Sequence, residues 1–177
     1  MTTKLNTYIN IGIIISIILG SFLHFAYDIS GKNKIIGYFT PVNESVWEHI
    51  KLSVFPVILT TLVIYLIYPN NLNNLIPSLA IASLLPFIIV PILFYTYTHF
   101  TKKAILPVDI SIFIISVIID LKIIQNLLLL EQVSLKLSIL SFIILIFILN
   151  AIFKYTYNPP KLKIFKSGGL KLYLKIF

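Results

Sequence analysis

The segment Asn43-Glu44-Ser45-Val46-Trp47-Glu48-His49-Ile50-Lys51 opens a run that carries no charged side chain from Leu52 to Tyr68. A helix needs about 20 mostly apolar residues to cross the roughly 30 Å hydrocarbon core of a bilayer. Residues 43–68 therefore read as a membrane span whose first two turns are polar. Working outward, four more runs of the same kind appear at about 8–27, 75–99, 107–126 and 136–153. The fold expected is all-α: an integral membrane bundle of five transmembrane helices over 1–157, followed by a basic tail, 158–177. The first run lacks a small-x-small cleavage site and is read as a retained helix, not a signal peptide. The stretch 28–41, with Ser30-Gly31, reads as a polar loop. Pro77 suits the first turn of the third span, whereas Pro86 and Pro91 fall inside it and should kink it.

Composition agrees. Of 177 residues, 58% are hydrophobic and 11% charged, against about 25% charged in a soluble domain. Mean hydropathy is +0.99. These values exclude disorder, a coiled coil and an ordinary cytosolic enzyme. There is no cysteine, which removes disulfides, zinc–thiolate sites and iron–sulfur clusters. All 14 basic residues are lysine, so no guanidinium fork is available. With a net charge of +8 in so apolar a chain, the partners expected are the lipid bilayer and its anionic headgroups. Nucleic acid is not expected, because no binding module is recognisable. Oligomeric state stays open.

The lysines set an orientation. Lys4, Lys122 and Lys136 fall on one side, and the other eleven, six of them in the tail, on the opposite side. The expectation is a multi-pass protein of the cell membrane with its N-terminus outside and C-terminus in the cytoplasm.

This topology gathers polar chemistry on the cytoplasmic face. His24 ends the first span; Asn43, Glu44, Trp47, Glu48, His49 and Lys51 open the second; His99 ends the third; Asp109 begins the fourth. His24, Glu48, His49, His99 and Asp109 have the imidazole and carboxylate donors of a divalent-metal site, although their spacing matches no metal signature. Other roles fit as well. Ser45 to Glu48 reads as a capping box, an acid in a first turn suits the helix dipole, and Trp47 suits an interfacial aromatic belt. Glu44, Glu48 and Lys51 share a helical stripe, where two carboxylates call for a cation between them. Asp120 lies about 20 Å along the fourth span and shares a face with Asp109 and Ser116. A carboxyl so deep marks a candidate functional position, unless it lies nearer the outer interface or hydrogen-bonds a neighbouring helix.

The stretches Gly20 to Tyr27, Ser30-Gly31 and Phe39 to Leu52, with the core Pro41-Val42-Asn43-Glu44-Ser45-Val46-Trp47-Glu48-His49, resemble an uncharacterised family of small multi-pass membrane proteins. Tyr155 to Pro160 is similar to that family's tail. The resemblance implies an integral membrane protein and no particular activity. Three functions then fit: a module that binds or transports a cation or small polar solute, an intramembrane metal-dependent hydrolase with a glutamate base, or a non-catalytic scaffold. Whether the protein is an enzyme is left open.

Overall fold

A computed structural model describes residues 2–68 and 72–167. The expected tail 158–177 therefore lies partly outside the described residues, as do Lys171 and Lys175. The order is α1 (Thr2–Ile29), α2 (Lys34–Phe39), α3 (Val46–Ile67), α4 (Leu75–Thr101), α5 (Leu106–Leu129), α6 (Leu135–Tyr157) and a 3-10 turn, Lys163–Phe165. The described residues contain no strand. The five long helices are each long and apolar enough to cross a membrane.

Two boundaries differ from the sequence reading. Residues 34–39, read as loop, form the one-and-a-half-turn α2. Asn33 caps it, its side-chain oxygen accepting from the N–H of Ile35 at 2.9 Å, after a left-handed turn at Gly31 and Lys32 (φ 67° and 61°). The span expected from residue 43 becomes helical only at Val46, because Ser45 is the N-cap in extended conformation (φ −87°, ψ 155°). Glu44 thus stands before the helix.

α3 is the central helix: it packs on α1, α4, α5 and the 3-10 turn, whereas α6 packs on α4 and α2. One apolar cluster joins Leu5, Ile9, Val57, Ile64, Val117, Leu121 and Ile124. A second, nearer the Asn43–Lys51 motif, joins Ile50, Val54, Val90, Ile112, Ile148 and Ile152. The outer surface is equally apolar; Leu66 is 79% exposed and Phe147 74%. An apolar exterior of this extent is unstable in water and suits lipid.

α4 runs through both Pro86 and Pro91. α3 carries an interior proline too, Pro56. Proline has no N–H, so the carbonyl four residues earlier, that of Leu52, loses its helical donor. α1 approaches there through Gly20. A Cβ on Gly20 would lie 2.5 Å from the Leu52 carbonyl oxygen and 2.6 Å from the Phe113 ring. The missing side chain lets α1 close over the freed carbonyl. At the opposite end from the motif, Asn74 ties the α3–α4 connection to the end of α5. Its amide donates to the carbonyls of Leu127 and Glu131, each at 3.1 Å, and accepts from the N–H of Val133 at 2.9 Å.

Gly20→Ala should lower stability by about 1–3 kcal/mol through overpacking. Unfolding of the detergent-solubilised protein measures this, and an unchanged midpoint would refute the close α1–α3 contact.

Candidate functional site

The motif residues do not act as one cluster; the structure sorts them into two polar groups. The first is buried. Lys51 is 0% exposed and Glu48 1%, and their ammonium and carboxylate meet at 2.7 Å. The ammonium also donates to the carbonyls of Gly37 at 2.9 Å and Thr40 at 3.2 Å. Its three N–H donors thus face three acceptors. The same Glu48 oxygen accepts from the N–H of Val42 at 2.9 Å. Glu48 is therefore not the return arm of a capping box. Ser45 does cap α3, accepting from the N–H of Glu48 at 3.3 Å, but its own N–H goes to the Asn43 side chain at 2.9 Å. Lys51 closes the carbonyl end of α2, where a cation suits the helix dipole. Gly37 and Thr40, which complete this group, escaped sequence reading because α2 looked like loop; the capping Asn33 was the available signal.

The second group is half-buried and consists of His24, Glu44 and His49. One ligand atom from each lies within 4.8 Å of the other two. His24 comes from the end of α1 and His49 from the first turn of α3. Their rings meet edge to face with centroids 5.3 Å apart. His49 Nδ1 sits 2.8 Å from the Ser45 carbonyl oxygen. A carbonyl only accepts, so Nδ1 carries a proton and donates. The other ring nitrogen, Nε2, points at Glu44 Oε2, 3.2 Å away. It either pairs with the carboxylate as an imidazolium or offers its lone pair to a cation held between them. A metal-binding histidine usually has its second nitrogen anchored in this way. Glu44 lies outside the spans, and the hydrogen bond from His49, helped by the nearby charge of His49 and His24, holds its carboxyl below the ordinary value of 4.5 against the opposing effect of burial.

The other expected site residues stand outside this three-residue group. Asp109 accepts a hydrogen bond from the Tyr97 hydroxyl, which itself accepts from the N–H of Ile105 at 3.0 Å. His99 packs edge-on against Phe100 and lines, with Glu44, a cavity of about 950 Å³. Trp47 packs among Phe87, Tyr155 and Phe165, with the Phe165 ring centroid 4.5 Å away. Asp120 and Ser116 are fully buried in α5. Neither Asp120 oxygen, nor the Ser116 hydroxyl, has a hydrogen-bond partner among the described residues. Asp120 is one helical turn beyond Ser116 and about 14 Å from the end of α5.

The sequence matches the model described as "Family of unknown function (DUF6512)" over residues 1–171. The chain belongs to this family. No curated protein and no solved structure matches it. As a family member with five apolar helices, it is a multi-pass membrane protein whose polar groups have to be interpreted from their own geometry.

Removing one partner of the buried pair leaves the other charge unpaired, so Lys51→Met should cost about 3–5 kcal/mol. The double variant Glu48→Gln/Lys51→Met should recover part of that loss in the same unfolding assay; a double variant as unstable as the sum of the single ones would refute the coupling. Glu44 behaves differently. A depressed carboxyl stabilises the fold above its unfolded-state value, and that contribution is lost as pH falls through the folded-state value. Stability of the metal-free wild type should therefore fall more steeply below about pH 4.5 than that of Glu44→Gln. Parallel acid limbs would refute the Glu44–His49 interaction.

Proposed function

We propose that this membrane protein binds a divalent transition-metal cation through His24, Glu44 and His49. The observation that carries the reading is the convergence of these three donor atoms within 4.8 Å, with His49 Nε2 left facing the carboxylate. Two imidazoles and a carboxylate suit zinc and its first-row neighbours better than calcium or magnesium, which prefer all-oxygen sets. Three protein ligands leave a fourth position open, and Glu44 borders the cavity beside it. The chemistry supported is holding or handing on a cation. Glu48, the base a hydrolase would most obviously use, is 1% exposed and committed to Lys51 and Val42.

Binding requires Nε2 without its proton, so uptake should release protons and weaken as pH is lowered. Purified protein dialysed against zinc at neutral pH should retain about one equivalent per chain by elemental analysis. His49→Ala and His24→Ala should each weaken binding at least about tenfold, while His99→Ala should not. Wild-type protein that leaves dialysis without metal would overturn the proposal.

A further inference from the structure

The cavity that Glu44 borders has a wall of its own chemistry. Lys102 and Lys103 approach from the end of α4, and Lys163 and Lys166 from the 3-10 turn after α6. None of the four forms an ion pair among the described residues, where the pairs are Glu44–His49 and Glu48–Lys51. The one acid lining the cavity, Glu44, is thus already engaged. Four exposed lysines thus line one space, and none of them is paired with an acid among the described residues.

The wall is built, not trailing. Phe165 is clamped by Trp47 at 4.5 Å and by Tyr155 at 5.6 Å between ring centroids, which fixes the turn on α3 and α6. The Lys163 ammonium lies over the Tyr95 ring, 5.0 Å from its centre. Tyr95 lines the cavity as a residue, while its hydroxyl oxygen is buried and has no hydrogen-bond partner among the described residues. Phe94, Val46 and Ile164 complete an apolar side. The cavity sits where α4 ends, at the boundary between the apolar helices and the polar loops.

We propose that this cavity binds a phosphate group, with the Lys102, Lys103, Lys163 and Lys166 ammonium groups as its donors. Lysine serves phosphate as a compact point charge. The apolar side next to the cationic wall favours a phospholipid headgroup over a fully water-soluble ester. No metal is required, so the test is run in EDTA, where failure of the metal site leaves the readout intact.

The full chain in detergent is titrated calorimetrically with three probes: dihexanoyl phosphatidic acid, dihexanoyl phosphatidylcholine and glycerol 3-phosphate. Phosphatidic acid should bind at least about tenfold more tightly than phosphatidylcholine. Lys102→Gln/Lys163→Gln should weaken it at least about tenfold. The control Lys32→Gln/Lys34→Gln, which removes equal charge outside the cavity lining, should stay within about twofold of wild type. Tighter binding of phosphatidic acid than of glycerol 3-phosphate assigns the site to lipid; equal binding assigns it to a soluble phosphate ester and supports the phosphate chemistry. Phosphatidylcholine binding as tightly as phosphatidic acid, or equal losses from the two lysine pairs, would overturn the proposal, since either result reduces the effect to general charge.

Discussion

The buried ammonium of Lys51 organises one end of this molecule. A lysine with no exposure is expensive in an apolar interior, and it persists only if each N–H finds an acceptor. Here the acceptors are Glu48 Oε2, the Gly37 carbonyl and the Thr40 carbonyl. They come from α3, α2 and the residue after α2, so satisfying one cation folds the 28–45 segment back over the start of α3. Gly37 permits the approach: a Cβ there would collide with Val42 and with the Tyr157 hydroxyl, which donates to the Lys34 carbonyl at 2.8 Å. One charge pair thereby ties α2, α3 and the end of α6 together.

That fold-back places the proposed cation site. With Glu48 turned inward, the chain bends through Val42 to Ser45 before α3 begins, and Glu44 comes within reach of His24 on α1 and His49 on α3. His24 then meets Glu44 and His49 because Gly20, one turn earlier on α1, lets the helices close over the Leu52 carbonyl. The structural pair and the candidate ligands are neighbours in sequence but serve different ends: one fully desolvated and saturated, the other half-exposed with a coordinating nitrogen to spare. The lysine-walled cavity shares Glu44 with the candidate cation site.

Much of this was legible in the sequence. Five apolar runs gave five helices, since length and hydropathy are local properties and a bilayer leaves the backbone few alternatives. The polar residues of the motif were recognised as a concentration, and His24 and His49 as prospective partners. The sequence does not tell that Glu48 pairs with Lys51 and Glu44 with His49. A helix drawn from residue 43 puts both on one stripe, whereas the extended Ser45 cap breaks that stripe between them. α2 was missed because six residues are too few for a periodic signal. The packing of Trp47 against Phe87, Tyr155 and Phe165 is not legible in the sequence, because these residues are distant along the chain. The cavity wall joins lysines some sixty residues apart, which no spacing rule connects.

The sequence by itself determined the class of molecule, the number of its spans and the crowding of imidazole and carboxylate groups near one set of helix ends, because hydropathy and chain length act locally. Only the tertiary structure decided which acid met which cation. Glu48 went to Lys51 and Glu44 to His49 because pairing in a low-dielectric interior is a competition among all donors within reach, and α2, Gly20 and Gly37 set that reach.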